Sequence, residues 1–230
     1  MNSSPLLQMK TICAVIPAYN VQATIGEVIQ GVRKFIDPSR IIVVDDGSTD
    51  ETASIAKRSG VIVLQNQTNA GKGHALKQGF RYARRHHFDA IITLDGDCQH
   101  DPAEIPKFVD RYSGTNADLI LGDRTNDFSR MPRDRRFSNK MTSLIISVLT
   151  GKRVRDSQSG YRLIKTEILK QMTLTSNKYE TESELLVKAL LNKFTIAHVP
   201  IKTIYNDQQS HIHRLKDTGR FIRVVIRSLI

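Results

Sequence analysis

Between Thr11 and Leu121 the chain alternates short apolar runs with turns rich in Gly, Asp or Asn, each followed by a segment of helical spacing. Few folds accept that order: it builds βαβ units and a mostly parallel sheet with helices on its faces. Residues 12–16 read as the first strand, ended by Pro17, and a helix follows over 24–35 with Ile25, Val28, Ile29 and Val32 on one face. Residues 41–44 are β-branched throughout, as a strand buried on both faces demands, which puts them mid-sheet. Further strands are expected at 61–64, 90–94 and 118–122. Between them, a capping box of Ser48 and Glu51 opens a helix through Arg58, another covers 73–86, and Asp101 caps one that starts at Pro102. The strand ends at Pro17, Asp45 and Asp95 should share one edge, because ligands of open α/β sheets bind beyond the carboxyl ends of the strands.

The second half is less regular. Residues 124–140 hold six basic and two acidic residues with weak periodicity and read as a mobile loop. Helices are expected at 139–150, 165–172 and 182–192, and an edge strand interrupted by Pro200 at 196–205. The resulting division is a tail at 1–9, one domain over 10–215 with halves at 10–123 and 124–215, and a basic amphipathic helix at 216–230.

Lys and Arg total 34 against 23 Asp and Glu, a net charge of +11, which favours an anionic partner: a nucleotide, a nucleic acid or an acidic membrane surface. Aromatic residues make up 6% with no Trp, and no basic–aromatic stacking pattern occurs, which argues against nucleic acid. Cys13 and Cys98 lie far apart without CxxC spacing, so no disulfide framework or cysteine-rich zinc site is expected, and a reducing, cytoplasmic setting is. The first nine residues lack signal-peptide regions, and no apolar run approaches the roughly 18 residues of a membrane span.

Three loops could carry chemistry. In Asp95-Gly96-Asp97-Cys98-Gln99, a strand end, a turning Gly and a second acid aim two hard carboxylates at one space, which suits Mg²⁺ or Mn²⁺; plain turn hydrogen bonding would use the same residues. Asp45-Asp46 follows a buried strand, where adjacent carboxylates should sit at a rim facing donors such as a nucleobase N–H or ribose hydroxyls. Asn69-Ala70-Gly71-Lys72-Gly73 opens a helix and could offer N–H groups and Lys72 to phosphate. It lacks the third glycine of a dinucleotide fingerprint and the Ser or Thr of a P-loop.

Together with Val15-Ile16-Pro17-Ala18-Tyr19-Asn20, the extended run through Asp101-Pro102 and Asp156-Ser157-Gln158-Ser159-Gly160-Tyr161-Arg162, these segments resemble the ordered signature of family 2 glycosyltransferases. Within that family the chain is most similar to the dolichyl-phosphate mannose synthase-like branch, over about residues 10–215. The resemblance implies a single-domain α/β GT-A fold with a Rossmann-like, mostly parallel sheet, a nucleotide-sugar donor, Mg²⁺ or Mn²⁺, and inversion at the anomeric carbon. It implies that Pro17, Ala18, Tyr19, Val44, Asp45 and Asp46 surround the nucleobase and ribose, and that Asp95 and Gly96 approach the ribose and diphosphate. Asp97 and Gln99 would ligate the metal, Arg124 would lie near the donor phosphates, and Gln158, Ser159 and Gly160 would line the sugar and acceptor pocket. His211 and Arg214 match a tail motif of the lipid-phosphate branch. Many relatives have Glu where Val21 stands, which leaves the donor base, GDP-mannose or a UDP-sugar, open.

Chemistry supports this reading: negative charge accumulates on the departing diphosphate, so a cation there favours the transition state. An alcohol acceptor needs a base, for which Glu182 and Glu184 are candidates, whereas a polyprenyl phosphate is already ionised. Arg130, Arg133, Arg135 and Arg136 would serve such an anionic acceptor, and the 216–230 helix could rest on an anionic bilayer. A nucleotidyltransferase of similar fold is the alternative, but the turn after its first strand is usually glycine-rich and here reads Pro17-Ala18-Tyr19-Asn20. A processive synthase would need the Trp of a Gln-x-x-Arg-Trp motif.

Overall fold

The computed structural model describes residues 11–125, 133–202 and 204, with the side chains of 133–135 excluded. Seven strands form one sheet in the order β3-β2-β1-β4-β6-β5-β7: β1 (Ile12–Ala18), β2 (Ile41–Asp45), β3 (Ile62–Gln65), β4 (Ala90–Thr93), β5 (Leu119–Asp123), β6 (Arg162–Lys165) and β7 (Ile196–Pro200). All pairings are parallel except those of β6, which runs antiparallel between β4 and β5. Helices α1 (Ile25–Arg33), α2 (Thr52–Arg58), α3 (Lys72–Arg85), α4 (Ile105–Gly114), α5 (Arg133–Thr150) and α6 (Glu180–Leu191) cover it. Two apolar layers result, one around Val15, Val44, Leu76 and Leu186 and the other around Ile16, Ile29, Val43 and Phe108.

The expected strands 1 to 5 form, and β2 is fully buried, but it lies second from the sheet edge, beside β3, rather than mid-sheet. β1 continues through Pro17 rather than stopping before it. Its ladder with β4 ends at Val15↔Thr93, so on that side no partner requires the N–H that proline lacks. The capping box does not form: α2 starts at Thr52, Asp50 Oδ1 accepts from Thr52 N, and Ser48 Oγ accepts from Asn20 N instead. Residues 165–172 are not one helix; β6 is followed by a 3-10 turn over Thr166–Lys170, because pairing with β4 and β5 overrides local spacing. The segment expected as a mobile loop is helical from Arg133 onward. β7 ends at Pro200, and among the residues described beyond it, Ile201, Lys202 and Ile204, none is in a strand. Among the described residues no helix is long and apolar enough to cross a membrane. The 1–9 tail, Arg130, His211, Arg214 and the 216–230 helix lie outside the described residues.

Candidate active site

The register Ala18↔Asp45 sets the ends of β1 and β2 side by side, and side chains then weld the loops beyond them. Asn20 adopts φ 50°; its N–H donates to Ser48 Oγ at 2.9 Å while its Oδ1 accepts from Thr49 N at 2.9 Å. Asp46 is 2% exposed because its carboxylate accepts from Ala70 N, Gly71 N (2.7 Å) and Asn66 Nδ2 (2.7 Å). Asp46 thus folds the 66–71 loop across the sheet edge. Asp45 Oδ1 accepts from Ser48 N, whereas its buried Oδ2 has no hydrogen-bond partner. Tyr19 stands exposed at the same rim.

The acid turn after β4 meets two helix starts. Lys72 Nζ, in the first turn of α3, lies 2.7 Å from Asp95 Oδ1 and 3.2 Å from Glu182 Oε1 in the first turn of α6. Burial alone would lower the Lys72 amine, but Asp95 and Glu182 outweigh it and hold it above its usual range. Burial likewise would raise Asp95, yet Lys72 holds it ionised, below the usual carboxylate range. Asp95 N donates to His100 Nδ1 at 3.0 Å, and burial keeps that ring neutral, with its proton on Nε2. Asp97 is pushed the other way, upward, by burial and by Asp95 beside it.

That upward shift tests whether the turn suits a cation. Asp97 pairs with no Lys or Arg among the described residues, and its Oδ1 accepts only the Gln99 N–H, at 3.0 Å. A crowded carboxylate of this kind favours a hard divalent ion. Among the described residues no three His, Cys, Asp or Glu converge as a complete cage, so further ligands would have to come from a bound phosphate, as Mg²⁺ sites commonly use.

A third element closes the space. Thr93 Oγ1 donates to Gly160 O at 2.8 Å, tying the 156–160 loop to β4. A Cβ on Gly160 would stand 2.8 Å from Glu182 Oε1 and 3.2 Å from Lys72 Nζ, so this loop, α3 and α6 share one point. Asp156, fully buried, accepts two parallel bonds from Arg124 (2.6 and 2.8 Å) and one from Asn139 Nδ2; Arg124 in return holds it below the usual carboxylate range. Gln158 is exposed and reaches Ser138 and Thr142 of α5, while Ser159 Oγ is buried without a partner.

Most expected residues therefore converge: Asp95, Gly96, Asp97, Gln99, Lys72 and Glu182 with Ser159 and Gly160, flanked by Pro17–Tyr19 and Asp45. Val44 does not join them. Its side chain is fully buried in β2, so only its backbone could meet a ligand. Glu184 is no base: at 1% exposure it accepts from Thr175 N, Ser176 N and Lys188 Nζ, bonds that outweigh burial and hold its pKa at about 2. Two further residues acquire roles. His100 orients Asp95, and Arg162, 1% exposed, donates from its three nitrogens to Ser159 O, Ser157 O and Glu182 O, joining the loop to α6. An arginine inside the apolar run Tyr161-Arg162-Leu163-Ile164 is the signal that could have marked it, since a buried guanidinium needs fixed acceptors.

Known proteins share this arrangement. The model of the family described as glycosyl transferase family 2 matches residues 13–173. The UDP-N-acetylglucosamine–dolichyl-phosphate N-acetylglucosaminyltransferase of Methanococcus voltae is 34% identical over 220 residues, covering 86% of this chain and 87% of that protein. The polyprenol monophosphomannose synthase of Mycolicibacterium smegmatis is 28% identical over 199 residues, covering 81% and 75%. In fold, the chain is similar to glucosyl-3-phosphoglycerate synthase of Mycobacterium tuberculosis in its complex with UDP, with TM-score 0.74 and 24% identity over 96% of this chain and 79% of the other. That enzyme has also been crystallised with Mn²⁺ and UDP together. A mostly parallel sheet, an acid turn beyond its fourth strand and a family match across both make this chain a glycosyltransferase of family 2 with a GT-A fold.

Proposed function

We propose that this chain transfers one sugar from a nucleoside-diphosphate sugar to a polyprenyl phosphate, with inversion, at a membrane face on the cytoplasmic side. The observation that carries the reading is the meeting of the Asp95–Asp97 turn, Lys72, Glu182 and Gly160 at one point, which brings donor acids and an acceptor loop together as a single displacement requires. The family relatives named for dolichyl-phosphate and polyprenol products carry different sugars, which supports the lipid phosphate as the common element and leaves the sugar open.

In this reading residues 10–123 bind the donor and 124–215 the acceptor. Pro17, Ala18 and Tyr19 flank the base, and Asp45, in register with Ala18, keeps one buried carboxylate oxygen without a hydrogen-bond partner. Asp46 acts indirectly, by shaping the 66–71 loop. Asp97 and Gln99 would hold Mg²⁺ or Mn²⁺, which supplies positive charge to the departing diphosphate. Lys72 keeps Asp95 ionised and oriented, and Arg124, locked by Asp156, lends charge near the donor phosphates. Gln158, Ser159 and Gly160 line the acceptor side. With Glu182 already paired to Lys72, the site needs no free base, as an ionised phosphate acceptor requires none.

The test offers the purified full chain GDP-mannose or UDP-sugars with undecaprenyl or dolichyl phosphate, in Mg²⁺, Mn²⁺ or EDTA. A labelled lipid product that requires the cation and disappears in Asp97→Asn, with melting unchanged, is the expected result. Full turnover in EDTA or in the variant would overturn the metal assignment. Transfer only to water-soluble acceptors would overturn the lipid one.

A further inference from the structure

Helix α5 is built inside out. Its buried face is largely polar, with Asn139 at 1%, Ser143 at 4% and Thr142 at 9% exposure beside one core residue, Ile146, while Phe137, Met141, Leu144 and Val148 are 68%, 42%, 58% and 72% exposed. Those four follow spacings of 4, 3 and 4 residues, which places them in one stripe along the helix. A continuous apolar stripe turned to water on a surface helix calls for a covering.

Charge and size identify the covering. Residues 133–155 carry seven Lys and Arg against one acid, Asp134, so the segment that bears the stripe is strongly basic. A second copy of the same face would bring like charges together, and a stripe one side chain wide falls short of the roughly 800 Å² per partner of a stable interface. An anionic bilayer satisfies both terms, accepting apolar side chains below the headgroups and basic ones among them. We propose that α5 is an interfacial helix that lies on an anionic membrane with Phe137, Met141, Leu144 and Val148 inserted.

The opposite face of α5 explains why it is polar: Asn139 Nδ2 bonds Asp156 Oδ1 at 3.0 Å, and Thr142 and Ser143 bond Ser157 Oγ at 2.9 and 3.0 Å. The 156–160 loop is thereby mounted on the back of the docked helix, about one helix diameter, ~10 Å, from the apolar stripe. Resting on the polyprenyl-phosphate reading, this makes α5 the element that sets the acceptor loop at headgroup height.

The experiment floats the full chain with phosphatidylcholine vesicles, with or without phosphatidylglycerol, and compares it with a Phe137→Ser, Leu144→Ser, Val148→Ser triple variant. Wild type should bind the anionic vesicles, and the variant should bind roughly tenfold less or weaker while keeping its melting temperature and its nucleotide-induced thermal shift. Its KM for acceptor embedded in vesicles should rise, with kcat on a water-soluble short-chain polyprenyl phosphate unchanged. A fluorophore on Val148→Cys should shift to the blue on adding anionic vesicles, a readout that does not depend on the triple variant folding. Equal vesicle binding by wild type and variant, or no blue shift, would overturn the proposal. So would a lipid-free dimer of wild type that the variant converts to monomer without change in vesicle binding. Vesicle binding without transfer to any lipid phosphate would leave the docking intact and refute only the acceptor.

Discussion

Helices α3 and α5 both deliver residues to the site, yet they are sorted in opposite ways. α3 turns Ala75, Leu76, Phe80 and Ala83 to the sheet and Arg81, Arg84 and Arg85 outward, and it lies so close to β1 that a Cβ on Gly79 would stand 2.4 Å from Val15 Cγ1. α5 turns Asn139, Thr142 and Ser143 inward beside Ile146, and Phe137, Met141, Leu144 and Val148 outward. The difference follows from what each helix backs onto. α3 rests on apolar strands, where burial of hydrocarbon drives docking. α5 rests on the 156–160 loop, whose backbone and Asp156 need hydrogen-bond partners once buried, so a polar face there is the stabilising one.

That contrast can be broken at three points. Leu76→Ala, in the α3 core, should cost about 2–5 kcal/mol, whereas Leu144→Ala on α5 should stay within about 0.5 kcal/mol of wild type in urea unfolding; equal losses would erase the distinction. Asn139→Ala removes a buried donor to Asp156 and an acceptor for Ser143, so stability should fall by about 1–3 kcal/mol and sugar transfer should fall more than nucleotide binding. A change confined to nucleotide binding would place α5 on the wrong half. The smallest effect is a pH slope. Because the folded state holds Glu184 at about 2, below its ordinary 4.5, its contribution is full above about pH 4.5 and is lost as pH falls toward 2. Thermal melts from pH 7 to 3 should show that loss in wild type and a shallower slope in Glu184→Gln.

Much of the 10–123 half is legible from local pattern. β-branched runs such as Ile41-Ile42-Val43-Val44, and acids placed just after them, carry their own burial and strand-end positions. The half that follows is written in long-range pairs. β6 holds Arg162 and Lys165 in a strand because β4 and β5 flank it, and no window of sequence contains those neighbours. The 133–138 portion of α5 escaped notice because Arg133-Asp134-Arg135-Arg136-Phe137-Ser138 holds one apolar residue, and a helix start without an apolar stripe looks like a loop. At the site, Asp95 and Asp97 declare themselves by spacing, while the Lys72–Glu182 contact joins residues far apart in the chain and Glu184, two positions on, points into the domain instead.

The start of α3 holds one more consequence. A Cβ built on Gly73 would fall 1.8 Å from Thr181 Oγ1 and 2.7 Å from Lys178 O, and Gly71, at φ +104°, presses on Asn177 O. The first turn of α3 therefore packs directly on the 177–178 backbone that leads into α6 and on the Thr181 side chain, with no room for a side chain at Gly71 or Gly73. Lys72 and Glu182 are spaced by that contact rather than by rotamer choice, so whatever opening admits the two substrates must carry both helix ends as one block and find its slack elsewhere.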